Sequence, residues 1–271
     1  MSRPSRAPRP TLQQRWTEAQ ARLAEVQGRW EEKKPAQFRS AVEVLPGLYQ
    51  VRTRGSKAYL ILDDEITLID TGSVGSGNRV LRALDELGRS PSDIKHIVIT
   101  HYHMDHVGGL PEIQEYVSAK TGVHLAEAPH VESDVPLPNP FQHPLLAKIC
   151  EPYLRRNDPG AARVDVVLDD GDELPALGGM RIVHAPGHTA GSISLYFPNR
   201  GVLLIGDAMQ YKFGRLMLPS RLFTQDMDAA ADSIRKLADL DFETLCFSHF
   251  RPILIGADQR VREFARTLPA K

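Results

Sequence analysis

From residue 42 onward, short apolar runs rich in branched side chains alternate with stretches of helical periodicity. The runs predict strands at 42–45, 48–51, 58–62, 66–69, 94–100 and 123–126, and then at 164–168, 180–184, 192–197, 202–205 and 244–247. Helical spacing predicts helices at 78–87, ended by Gly88, and at 110–120, 145–156, 228–237 and 258–267. Strands mixed with helices in this order indicate a layered α/β architecture, with helices outside two sheets. No repeat of solenoid or propeller period is visible in the chain.

The first 40 residues follow a different pattern. Residues 1–10 carry three arginines and three prolines, a composition expected to be disordered. Thr11 and Gln14 resemble a capping box. Leu12, Trp16, Ala19, Leu23, Val26 and Trp30 then recur at helical spacing, as on an amphipathic helix with a narrow seam. This helix is expected to lie on the catalytic domain or to pair two subunits as a homodimer. The domain reading is therefore an arm and helix at 1–40 and one catalytic domain at 41–271.

Composition narrows the function classes. The net charge is −1, which gives no global electrostatic reason to expect nucleic acid as a partner. No run approaches the ~20 apolar residues a membrane span needs, and no apolar segment follows the N-terminal arginines as in a secretory signal. Cys150 and Cys246 belong to no CxxC pair and read as free thiols in a reducing compartment. The expectation is a cytoplasmic enzyme without a membrane partner.

The chemistry concentrates at His101-Tyr102-His103-Met104-Asp105-His106, directly after the strand at 94–100. Three imidazoles and a carboxylate so close together need a divalent cation to hold them. His188, Asp207 and His249 each follow a further apolar run, so they too are candidate ligands at strand ends. Asp70, in Leu68-Ile69-Asp70-Thr71-Gly72, is either a turn former or a carboxylate that orients a ligand imidazole, and the second reading is preferred. Thr71 and Thr189 could act similarly through their hydroxyls. His96, His124, His130 and His143 lack a partner pattern and read as ordinary core or surface residues. His184 is structural or supports a ligand, since Pro186 and Gly187 rule out a helical pair with His188.

The ordered set HxHxDH, His, Asp, His resembles the metallo-β-lactamase superfamily of metallohydrolases, over residues 41–265. The resemblance implies a four-layer αβ/βα sandwich with the metals at one edge between the sheets. It also implies two divalent ions, zinc first, with iron or manganese as alternatives. One ion would sit on His101, His103 and His188. The other would sit on Asp105, His106 and His249, with Asp207 between them. The true β-lactamases carry cysteine or serine where Asp207 stands, and the flavodiiron oxidoreductases carry glutamate where His103 stands. The 22 residues after His249 are too few for the glutathione-binding domain of glyoxalase II. The match is therefore to the lactonase and glyoxalase II-like branch.

The implied activity is hydrolysis of lactone, thioester or carboxylic ester bonds by a metal-bridging hydroxide, with Asp105 as a proton relay. Alternatives are a persulfide dioxygenase with one iron on His101, His188 and Asp207, a phosphodiester or phosphotriester hydrolase, and β-lactamase activity. Two segments are expected to shape the substrate site. Residues 129–165, rich in proline, read as a lid insertion. Residues 209–223 mix apolar side chains with Lys212, Arg215 and Arg221. They suit a small-molecule substrate with an apolar part, or they only pack the domain. By resemblance to some lactonases, Tyr211 in this segment would donate a hydrogen bond to a developing oxyanion.

Overall fold

Strand directions explain why the metal-seeking side chains end up at one edge. The structure is a computed structural model and describes residues 40–269. The predicted N-terminal helix and its dimer role lie outside the described residues. One sheet holds, in order, β1 (Ala41–Leu45), β2 (Leu48–Arg52), β3 (Lys57–Leu62), β4 (Ile66–Ile69), β5 (Ile94–Val98), β6 (Lys120–His124) and β7 (Val166–Leu168). Its first four strands form an antiparallel meander, and β4 through β7 run parallel. The second sheet contains β8 (Glu173–Leu174), β9 (Met180–His184), β10 (Ile193–Phe197), β11 (Val202–Leu204) and β14 (Thr244–Cys246). Since β10 is antiparallel to both β9 and β11, and β14 is parallel to β11, the strands β9, β11 and β14 share one direction. A separate hairpin joins β12 (Gln210–Lys212) to β13 (Arg215–Met217).

The helices are α1 (Gly77–Glu86), α2 (Met104–Val107), α3 (Leu110–Gln114), α4 (Ala128–Val131), α5 (Pro144–Arg156), α6 (Met227–Ala238) and α7 (Ala257–Arg266). Between the sheets, Tyr59, Ile61, Ile69 and Val98 of the first pack against Ile182, Leu195, Leu204 and Cys246 of the second. The outer face of the second sheet buries Val183, Leu203 and Leu245 against Ile234 and Leu237 of α6 and Val261 of α7. On the first sheet the buried side of α1 presents Val80, Leu81 and Leu84. This is the four-layer αβ/βα sandwich that the resemblance implied, with both sheet faces covered. Among the described residues no helix is long and apolar enough to cross a membrane.

The pattern misplaced one boundary by several residues. The helix expected at 110–120 ends at Gln114, and β6 begins at Lys120. Parallel pairing of Lys120, Thr121 and Gly122 with His96, Ile97 and Val98 draws Lys120, the last residue of the expected helix, into the sheet. Gln114 reinforces the stop, donating to Thr121 Oγ1 at 2.8 Å and to the Arg163 carbonyl at 2.7 Å.

Candidate metal centre

Every candidate ligand lies just beyond the carboxyl end of a strand. His101, His103, Asp105 and His106 follow β5, His188 follows β9, Asp207 follows β11 and His249 follows β14. Such edges leave loops free to aim side chains while the sheets fix their stems. Their ligand atoms gather into three overlapping groups, each within 4.8 Å: His101 with His103 and His188, His101 with His106 and Asp207, and Asp105 with His106 and His249.

The first group is an imidazole cluster. His103 Nδ1 stands 3.2 Å from His101 Nε2 and 2.9 Å from His188 Nε2. Nitrogens held about 2.0–2.1 Å from a tetrahedral ion stand roughly 3.3 Å apart, so this spacing suits a cation. Burial, then the neighbouring imidazoles, hold His101 and His103 well below the usual histidine range, and burial pulls His188 down to about 4 against the attraction of Asp207. All three rings are neutral at pH 7, with lone pairs available to a metal. The far nitrogens of His101 and His188 are occupied. His101 Nδ1 lies 3.1 Å from the Thr100 hydroxyl oxygen and His188 Nδ1 lies 3.2 Å from that of Thr224, which leaves the Nε2 atoms facing the cluster.

The second group is carboxylate-rich. His249 Nε2 is 3.4 Å from Asp105 Oδ2 and 3.1 Å from Asp207 Oδ2. His106 Nε2 is 3.9 Å from Asp105 Oδ2 and 3.6 Å from Asp207 Oδ1. Despite burial, Asp70, Asp207 and Asp105 raise His106 to about 10, and Asp207 raises His249. Despite its own burial, Asp207 is held well below the carboxylate range by His106, His249 and His188. This half of the site therefore carries excess negative charge and attracts a cation. His106 Nε2 and Asp207 Oδ1 are both buried without a hydrogen-bond partner, as expected of atoms that a metal would satisfy. The residues fit two divalent ions.

Asp70 contacts one of the candidate ligands. His106 Nδ1 donates to Asp70 Oδ2 at 2.8 Å, and Thr100 donates its backbone N–H and its hydroxyl to the two carboxylate oxygens at 2.8 Å each. A proton is thereby fixed on Nδ1, and Nε2, whose own proton a bound cation would displace, faces the site. Asp70 holds φ 55°, an uncommon conformation for a residue other than glycine. The Thr71 N–H and hydroxyl both donate to the His106 carbonyl at 2.7 Å, which pins the metal loop.

Two expectations need correction. Thr189 touches no ligand ring; its hydroxyl donates to Glu127 Oε1 at 2.9 Å. Tyr211 faces away from the candidate ligands. Side chains alternate along β12, so Gln210 and Lys212 line the cavity beside the site while Tyr211 points to the other face. There its ring stacks on Phe247 at 5.8 Å and its hydroxyl accepts from Arg260 at 3.2 Å. The histidines read as ordinary residues fall outside the ligand groups. His124 stacks on His184 at 4.2 Å, His184 bonds the Ala190 carbonyl at 2.9 Å, His130 bonds that of Pro136 at 3.2 Å and His96 pairs with Glu65 at 3.3 Å. His143 precedes α5 on the exposed surface.

Glu127 is a site residue that the sequence did not single out. Its fully buried carboxylate accepts from the Tyr102 N–H at 2.7 Å, inside the metal loop, and from Thr189 Oγ1 and the Gly191 N–H at 2.9 and 2.7 Å, beyond His188. One side chain thus joins the loops that carry the first imidazole group. Glu127→Gln keeps the volume but turns an NH2 toward one of these donors. Metal affinity at that group is expected to fall roughly 10- to 100-fold, by competition with a chromophoric chelator. An unchanged affinity in a folded variant would remove this role.

A cavity of about 510 Å³ opens beside the cluster. Its metal edge is His103, Asp105, His188, Asp207 and His249, and its apolar wall includes Phe141, Leu154, Met209, Phe223 and Phe250. Phe141 and Leu154 come from the proline-rich segment at 129–165, so that segment walls the site.

Comparison with known proteins agrees with this geometry. Residues 51–249 match the family model of the metallo-beta-lactamase superfamily. The probable metallo-hydrolase YflN of Bacillus subtilis is 30% identical over 78% of this chain and 86% of its own. A hydroxyacylglutathione hydrolase of Cereibacter sphaeroides is 31% identical over 71% of this chain, and the match spans 61% of that enzyme. A metallo-beta-lactamase family protein of Thermus thermophilus superposes with a TM-score of 0.62 at 24% identity, covering 83% of this chain and 80% of its own. The chain therefore belongs to the metallo-beta-lactamase superfamily and is a metal-dependent hydrolase.

Proposed function

We propose that the protein is a dinuclear hydrolase of ester-like bonds, whether lactone, thioester or carboxylic ester, acting on a small molecule with an apolar part. The observation that carries this reading is the placement of Asp207. Its Oδ1 lies 3.6 Å from His106, and its Oδ2 lies 3.5 and 3.1 Å from His188 and His249, so one carboxylate faces both ligand groups. His101, His103 and His188 would hold one ion, Asp105, His106 and His249 the other, with Asp207 available to both. Two divalent ions, zinc in the first instance, would supply an activated water and Lewis acidity at neutral pH.

The chain's own groups do the rest. Asp105 has a third of its side chain exposed and lines the cavity, where it can take and return a proton as the scissile bond breaks. Phe141, Leu154, Met209, Phe223 and Phe250 bind the apolar part and exclude water. The proline-rich segment acts as a lid over that wall. Similarity to a hydroxyacylglutathione hydrolase supports the thioester among the three bonds.

The test is a hydrolysis panel of lactones, thioesters, aryl esters, phosphoesters and a cephalosporin on metal-quantified protein. Turnover of one ester class well above the phosphoesters is expected. Phosphoester preference, or a single iron with oxygen uptake on a persulfide, would contradict the reading.

A further inference from the structure

The rim of the cavity exposes apolar groups that a soluble substrate site does not need. β12 and β13 are joined by a two-residue turn in which Phe213 has φ 53° and Gly214 has φ 77°. Both central residues of such a turn need positive φ, and asparagine, aspartate or glycine normally supply it. Here a phenylalanine accepts the strained conformation, and its side chain is 99% exposed at the tip. Across the cavity, α5 has no buried residue. Leu145 and Ile149 lie four apart on one face, 60 and 63% exposed, while Tyr153 and Leu154 of the same helix line the cavity. A helix that is apolar on both its inner and outer sides calls for a covering partner.

Charge indicates what that partner is. Residues 141–157 and 210–223, the two segments that wall the cavity, hold Lys148, Arg155, Arg156, Lys212, Arg215 and Arg221 against one acid, Glu151. Residues 40–269 as a whole hold 23 Lys and Arg against 30 Asp and Glu. These two segments are net cationic on an acidic domain, with Arg155 alone ion-paired to Glu151 among the six. Two-fold pairing of this face with a second copy would set like charges against each other. Its two projections, a hairpin tip and a helix on either side of an open mouth, suit insertion into a soft boundary rather than a flat protein interface.

We propose that this rim adsorbs to an anionic lipid surface. Phe213 and the outer face of α5 enter the boundary between headgroups and acyl chains, and the flanking cations meet the phosphates. The cavity mouth then faces the lipid phase, a reservoir of molecules with apolar parts. Such adsorption needs no membrane-crossing helix and holds whatever bond the centre hydrolyses.

The test is co-sedimentation of the full-length chain with vesicles of equimolar phosphatidylglycerol and phosphatidylcholine, and with phosphatidylcholine alone, at low and high salt. Residues 1–39 carry nine Lys and Arg and could attract vesicles on their own, so the deciding arm is Phe213→Ser combined with Ile149→Ser. Neither residue lines the cavity, and hydrolysis of a soluble aryl ester should not change. Binding to the anionic vesicles is expected, weakened by salt and reduced about tenfold in the double variant. The proposal is overturned if the wild-type chain stays in the supernatant or if the double variant binds equally well. It is also overturned if the substitutions instead dissociate a dimer seen by sedimentation velocity.

Discussion

Asp207→Ala is expected to lower turnover on the order of 10³-fold or more and to leave fewer than two metal ions per chain. The size of the effect follows from its position. Asp207 is the carboxylate within reach of His106, His188 and His249 at once. Its removal takes away the anion that both ligand groups share. Asp207→Asn separates charge from volume: the amide fills the same space but supplies neither negative charge nor a second acceptor oxygen. It is expected to fail nearly as badly. Activity is read on the best substrate of the panel and metal by elemental analysis. Full activity with two metals retained in either variant would show that Asp207 is not shared.

The largest expected effect on stability comes from a residue with no side chain. Gly187 precedes His188 and has φ 129°. A Cβ placed there would lie 2.3 Å from the backbone nitrogen of Ala230 and 2.5 Å from its Cα, in the first turns of α6. The Asp226 N–H donates to the Gly187 carbonyl at 2.9 Å, so the His188 loop and the start of α6 are bound together and cannot separate cheaply. Gly187→Ala is expected to cost about 3–5 kcal/mol through backbone strain and overpacking. For a domain of this size the melting temperature should fall by roughly 10 °C. Gly88→Ala is the control. Gly88 also has positive φ, 66°, but a Cβ there meets nothing within 4 Å, so only about 1–2 kcal/mol is expected. Equal losses in the two variants would assign the cost to backbone conformation alone and remove the packing of Gly187 against α6.

The candidate ligands were legible because they advertise themselves locally. Three imidazoles and a carboxylate in six positions have few structural explanations, and His188, Asp207 and His249 each follow an apolar run. Asp70 was legible for the same reason, as an acid at a strand end followed by Thr71 and Gly72. The residues that hold the ligands in place were not. Glu127 sits between Ala126 and Ala128 with no motif, and its importance appears only when Tyr102 and Gly191, 89 positions apart, meet on its two oxygens. Thr224 reaches His188 from 36 positions away. Tyr211 failed through parity. Without the hairpin's register, nothing in the chain says which of Gln210, Tyr211 and Lys212 faces the cavity, and Phe213 is a poor advertisement for a two-residue turn. The over-long helix at 110–120 failed because strand pairing outranks local propensity.

On the proposed reading, seven side chains from four strand ends hold two cations. The most direct measurement is anomalous diffraction at the zinc edge from crystals of the zinc-loaded protein. Two peaks per chain are predicted, one among His101, His103 and His188 and one among Asp105, His106 and His249, with Asp207 adjacent to both. A zinc-loaded crystal with no peak among these residues, or with a single peak that Asp207 does not touch, would contradict the account.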